Sequence, residues 1–262
     1  MSLSIVNIPR LKNHSVKDLT SLIKIISNYE IGLIINIIKY LEKDIFFKLD
    51  RETYSGKISG IIINNTYTKL ANKACYSFFN LKTVVIGNTV KEIGDYSFKN
   101  CYGLENVFLG NNVTTIGKEA FSYCSRLVNI NLGENITSIE DGAFYFCKNL
   151  KGIKLPSKIK TIPNRAFSFC ISLEKINFPN GLEKIGKVAF NGCGKLKNIT
   201  LPSSLTFLDS YSFFCCHGLE KVFVYNIDME YNRTVFQYCD RLKIYQKPAR
   251  LKLIPKILHY LK

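Results

Sequence analysis

The side chains best able to do chemistry in this sequence are its nine cysteines and three histidines. Cys101, Cys124, Cys147, Cys170, Cys193, Cys216 and Cys239 recur every 23 residues. Thiolates could hold zinc, but a metal needs ligands converging on one point, and a fixed period lays the sulfurs out in a line. Adjacent sulfurs could be bridged, since a disulfide needs Cα atoms about 4.4–6.8 Å apart. Nine cysteines leave one over, however, and the sequence shows no route to the oxidising compartments where disulfides persist. The remaining reading is a small buried hydrophobe that also offers a weak thiol donor to the backbone where the chain turns. Cys215, one place off the ladder, is the expected exception.

The histidines assemble nothing. His14, His217 and His259 lie far apart, and Cys216-His217 is an adjacent pair, whereas nucleophilic catalysis wants the two groups on facing elements. There is no phosphate-cradling glycine loop, paired zinc-cysteine motif or nucleophile elbow. The chain is therefore expected to be no enzyme and to carry no catalytic residue, metal or cofactor.

The elements that position these cysteines follow from the same period. From Leu104, apolar residues fall at Val107, Leu109, Val113, Ile116, Ala120, Phe121 and Cys124, and the frame restarts at Leu127. It recurs from Leu81, Leu150, Leu173, Leu196 and Leu219, with a degenerate copy from Ile58 and a broken one at Leu242. Such a period defines a solenoid in which each copy is one coil, and a coil buries its apolar side only against its neighbours. The first residues of a coil alternate inward and outward, as in Leu127 to Leu132, which reads as a half-buried strand. Gly or Pro then turns the chain (Gly110, Gly133, Pro156, Pro179), a second short extended stretch follows, and a brief helical turn is expected through Lys118 to Phe121. Phe98, Phe121, Phe144, Phe167, Phe190 and Phe213 should form an internal aromatic column parallel to the sulfurs. In the first copy Cys75 and Phe78 exchange the usual Phe and Cys slots, which conserves volume.

The segments LKGIKLPSKIKTIPNRAFSF (150–169) and LEKINFPNGLEKIGKVAFNGC (173–193) resemble the BspA-like class of leucine-rich repeats. The resemblance covers about residues 58–242. It implies an α/β leucine-rich-repeat solenoid, a right-handed coil with one parallel concave strand, a short extended segment and a helical turn per repeat. It also implies binding, since this class is best known for cell-surface adhesion and protein-binding modules.

Three regions result: a helical N-terminal cap over 1–57, the solenoid of about eight repeats over 58–242, and a basic C-terminal cap helix over 243–262. The first rests on Ser15 with Asp18 as a capping-box variant before Leu19, Leu22, Ile23 and Ile26 at helical spacing. The last rests on Ile254, Ile257, Leu258 and Leu261 sharing one helical face. Both would cover the open ends of a stacked core; partner-binding or membrane-surface helices are the alternatives. The net charge of +16 would favour anionic surfaces, and the tail holds it most densely. With no secretory signal or membrane span in the sequence, the reading is a cytoplasmic monomer.

A partner would meet the outward positions of the first strand of each coil. Stacking them brings together Asn106, Asn129, Lys175 and Asn198 in one file and Asn131, Lys154 and Asn177 in the next. Phe108 lies at one side, Phe223 and Tyr225 at the other. Exposed aromatics beside adaptable amides suit a protein interface, although exposed strand positions must be polar in any case. The expected partner is a protein. Peripheral contact with an anionic membrane is the rival, and the lack of a nucleic-acid motif speaks against nucleic acid.

Overall fold

The computed structural model describes residues 46–47, 58–63, 65, 67–226 and 228–246. Each coil contributes one longer and one shorter strand, and both kinds pair only in parallel with their equivalents in neighbouring coils. The longer strands run from Gly60–Ile63 and Thr83–Ile86 through Asn106–Phe108, Asn129–Asn131, Gly152–Lys154 and Lys175–Asn177 to Asn198–Leu201, Lys221–Val224 and Lys243–Gln246. Hydrogen bonding along this ladder breaks once, between Lys175–Asn177 and Asn198–Leu201. The shorter strands, such as Thr115–Ile116 and Ser138–Ile139, form a second ladder of two-residue steps. Gly60 pairs with Thr83 and Thr83 with Asn106, so the 23-residue period is also the pairing register.

One continuous core lies inside the coils. Leu104, Val107, Val113, Ile116, Ala120, Phe121 and Cys124 are all buried, as are their counterparts above and below. The aromatic column is stacked from Phe98 to Phe236: the Phe121 and Phe144 centroids lie 5.6 Å apart at 6°, those of Phe144 and Phe167 5.4 Å apart at 2°. Cys75 and Phe78, the exchanged pair of the first copy, are both fully buried.

The expected helical turn is not there, and among the described residues no helix occurs. Between Lys118 and Cys124 the backbone N–H groups point alternately to two destinations. Those of Glu119, Phe121 and Tyr123 donate to the carbonyls of Asp141, Ala143 and Tyr145 in the next coil at 2.9, 2.8 and 2.7 Å. Those of Ala120, Ser122 and Cys124 donate within their own coil, to Gly117, Glu119 and Phe121. An α-helix would spend every donor on its own chain at i−4; here half of them hold successive coils together. The alternation requires two left-handed residues per coil, the files Lys73, Tyr96, Glu119, Gly142, Arg165, Val188, Tyr211 and Ser77, Asn100, Tyr123, Phe146, Phe169, Gly192, Cys215, Tyr238.

Glycine fills only two of these slots, so the strain is carried by ordinary side chains. Val188, β-branched at φ 51°, is the least suited. Val188→Gly is expected to raise the unfolding free energy by about 0.5–1 kcal/mol, the left-handed cost less glycine's entropy, measured by urea denaturation. A loss instead would mean that the half-buried valine's contacts outweigh its backbone strain.

The ends need further correction. The helical caps expected over 1–57 and 243–262 lie largely outside the described residues, and the parts that are described are strands: Phe46–Phe47 adds to the short ladder and Lys243–Gln246 to the long one. The period also slips at the last coil. Lys221 pairs with Lys243, only 22 residues on, and Val222 with Ile244, which is fully buried. Side chains alternate with a period of two, so without the missing residue Ile244 would face outward. In the coil before, Asp228 is exposed and the neighbouring Met229 is buried in its stead.

Candidate functional site

The outward positions of the long ladder form two files in register. Asn106 pairs with Asn129, Gly152 with Lys175, and Asn198 with Lys221; in the second file Phe108 faces Asn131, Lys154 faces Asn177, and Thr200 faces Phe223. Asn106, Asn129, Asn131, Lys154, Lys175, Asn177 and Asn198 are exposed, while Phe108 and Phe223 are half-buried and Tyr225 is 40% exposed. The equivalent residues one coil earlier, Thr83 and Val85, are buried. The exposed surface therefore begins at Asn106.

Charge distinguishes this face from its counterpart. From Asn106 to Lys221 the strand positions named here include no acid, whereas over the same coils the outward positions of the short ladder include one, Glu230. On that second face an open hollow is lined by Thr161, Glu183, Lys184, Thr206, Phe207, Asp228 and Glu230. Not every lysine of the long ladder is available: Lys154 Nζ lies 2.6 Å from Glu134 Oε1, and this contact holds the Glu134 carboxyl below its usual range. Lys175 has no carboxylate partner among the described residues. The Asn131 side chain turns back to accept from the Gly133 N–H at 3.3 Å.

The cysteine ladder has a uniform geometry. Cys101 Sγ donates to the Cys75 carbonyl at 3.1 Å, Cys124 to Phe98 at 3.2 Å, Cys147 to Phe121 at 3.2 Å, and so on through Cys170, Cys193, Cys216 and Cys239. Each of the carbonyls at Phe98, Phe121 and Phe144 also accepts the N–H of the cysteine three residues on, so both lone pairs are used. Burial pushes the Cys101 thiol up to about 12 and Cys124, Cys147 and Cys193 well above the ordinary thiol range. All nine cysteines are free, and only Cys215 reaches the surface in part. A native thiol titration is expected to modify one sulfur, lost in Cys215→Ala, with the remainder reacting after denaturation. Fast modification of several sulfurs in the native protein would contradict the closed core.

The remaining chemical candidates stay separate. His217 Nδ1 meets Asp240 Oδ2 at 3.4 Å on the surface, while the neighbouring Cys216 thiol is turned into the core. Among the described residues no three His, Cys, Asp or Glu side chains converge as metal ligands, and no helix is long and apolar enough to cross a membrane.

The sequence reading missed the outer face of the turns, where Tyr123, Tyr145, Phe146 and Phe169 touch one another. A signal for it exists: an aromatic residue immediately precedes the ladder cysteine in FSYC, FYFC and FSFC. Their common direction follows from the left-handed backbone at Tyr123, Phe146 and Phe169, which the repeat pattern does not announce.

Stacked coils whose leading leucines turn inward, with one long parallel strand per 23 residues, define a leucine-rich-repeat protein. The model of the BspA type Leucine rich repeat region matches in six copies over residues 50–173 and 137–259, and the chain belongs to that family. Among solved structures, the leucine rich repeat protein TpLRR of T. pallidum is 23% identical with a TM-score of 0.55, over 82% of this chain and 86% of that one, a likeness of fold alone. A leucine-rich repeat protein from Bacteroides ovatus is 25% identical over 79% of this chain and 70% of that one, with a TM-score of 0.44. No curated protein matches.

Proposed function

We propose that this repeat scaffold is a non-enzymatic binding protein that takes a protein partner on the outward face of its long strands, between Asn106 and Tyr225. The observation that carries this reading is the file of exposed Asn and Lys side chains in register across successive coils, bordered by Phe108 on one side and Phe223 with Tyr225 on the other. Asn106, Asn129, Asn177 and Asn198 make no side-chain hydrogen bond to another described residue, so their amides are free to serve a partner. Rigid strands hold these groups at fixed spacing, which lowers the ordering cost of binding.

Affinity capture with the full chain tests it. Phe108→Ala and Lys175→Glu are each expected to weaken a captured protein by about tenfold or more while leaving the melting temperature within a few degrees. Lys175 is the better charge probe because reversing Lys154 also breaks its pairing with Glu134. Equal capture by wild type and both variants would remove this face from consideration.

A further inference from the structure

The outer face of the turns carries its own surface. Tyr123, Phe146 and Phe169 occupy one left-handed slot in three consecutive coils. Their ring centroids follow at 5.1 and 4.9 Å, with interplanar angles of 26° and 43°, close to the rise from one strand to the next. Tyr145 braces the file, nearly perpendicular to Tyr123 at 89°. All four rings are half-buried. The large apolar side chains most exposed among the described residues are Phe79, Tyr102, Ile171, Tyr225 and Tyr238, and all but Tyr225 belong to the turns. The turns thus carry most of the exposed apolar side chains, and the Tyr123–Phe169 file is the stretch where rings in successive coils touch; joined apolar surface of this kind suits an interaction.

Ring orientation decides what can lie on it. The rings spend their faces on one another and on cations: Lys99 Nζ sits 5.3 Å from the Tyr96 ring and 6.0 Å from that of Tyr123, and Lys148 Nζ sits 5.1 Å from Phe146. What these half-buried rings leave to solvent is therefore more edge than face. Sugars and nucleobases stack on open faces and are poorly served. An aromatic edge carries the positive end of the ring quadrupole, so this apolar strip is also electropositive. Lys148 and Arg165 beside it have no carboxylate partner among the described residues, and Glu119 is tied to Lys99 at 2.5 Å. The nearby Asp141 carboxylate already accepts from the Asn164 backbone and side-chain amides at 3.0 and 3.3 Å.

We propose that this strip docks an acidic amphipathic helix of a partner protein, with aliphatic side chains against the ring edges and carboxylates toward Lys148 and Arg165. Three coil steps from Tyr96 to Phe169 cover roughly 15 Å, which about three helical turns would span. The surface is separate from the long-strand face and does not depend on it.

The test uses the full chain and a fluorescein-labelled peptide of about 14 residues, with leucines on one helical face and glutamates on the other, read by fluorescence anisotropy. Wild type is expected to bind it. The double variants Phe146→Gly/Phe169→Gly and Lys148→Glu/Arg165→Glu should each weaken binding about tenfold or more, and Lys175→Glu should leave it unchanged. Glycine is already the native residue of this slot in the following coil, at Gly192 with φ 72°, so ring removal should spare the fold; melting curves check this, and the charge reversal carries the test if it does not. Four results would overturn the proposal: no binding by wild type, equal binding of a lysine-for-glutamate peptide, full binding by either folded double variant, or displacement of the peptide by cellohexaose or oligothymidine.

Discussion

Replacing Phe144 by alanine is expected to lower the unfolding free energy by about 3–5 kcal/mol, the range for deleting a fully buried aromatic side chain. The ring is completely inaccessible and sandwiched between Phe121 and Phe167. Relaxation cannot refill the site, because the flanking rings are held at the coil spacing by backbone hydrogen bonds: the N–H of Phe121 to Ala143 O and that of Phe144 to Ala166 O, at 2.8 and 2.9 Å. A globular core can rotate a neighbour into the void; a column with fixed rungs leaves it open. In a solenoid, stability is close to a sum of coil and interface terms, so Phe144→Ala should weaken two interfaces and divide the stack in the middle. Phe236→Ala, at the last stacked ring and bordered by Phe213 on one side, should cost less. Urea denaturation of both variants checks the order. Equal losses would mean that the coils unfold as one unit regardless of position.

How far the sequence revealed this protein depends on which way each side chain points. Inward positions were legible because burial imposes one residue class on each slot: Leu104, Val107, Phe121 and Cys124 announce themselves by repetition. The two strand ladders follow from alternation at Asn129–Asn131 and from the Ile that ends the short strands of the middle coils, such as Ile116 and Ile139. Lys118 to Phe121 reads as a helical turn because Lys, Glu and Ala are good helix formers. What overrides that propensity is the inter-coil destination of alternate N–H groups, which leaves almost no mark on side-chain identity beyond Gly142 and Gly192. The slip at Ile244 was hidden for a similar reason, since Leu242 keeps the 23-residue frame while the strand after it does not. The surface was legible only as a list of exposed residues. That Lys154 is spoken for by Glu134 while Lys175 is not depends on a loop from the preceding coil, which no strand pattern encodes.

The cysteine ladder makes a sharper demand on the protein than its chemical inertness suggests. Cys75, Cys101, Cys124, Cys147, Cys170, Cys193 and Cys216 are all raised by burial, Cys101 to about 12. In the unfolded chain a thiol ionises near ~8.5. Below that value both states keep their protons and these groups leave stability unchanged with pH. Above it the unfolded chain releases protons that the folded chain retains, so the unfolded state binds fewer and stability falls as pH rises. The slope approaches about 1.4 kcal/mol per pH unit for each thiol, or roughly 10 kcal/mol per unit for the seven together, until the folded thiols begin to ionise. Against a typical total of about 5–15 kcal/mol, this predicts cooperative unfolding between about pH 9 and 10.5, followed by circular dichroism at constant ionic strength. Cys147→Ala should reduce the slope by about 1.4 kcal/mol per unit even though it costs stability at neutral pH, which separates the proton linkage from the loss of packing. Should stability instead change by less than about 2 kcal/mol between pH 8 and 10, the sulfurs cannot be enclosed as described. The effect is strong because the thiol acts here as a donor: from Cys124 to Cys216 each hydrogen points at a phenylalanine carbonyl, and the other lone pair of that carbonyl is already taken by a backbone N–H. A thiolate in that position would set negative charge against the carbonyl oxygen with no water to relieve it, so one ionisation opens a rung and exposes its neighbours to the same base.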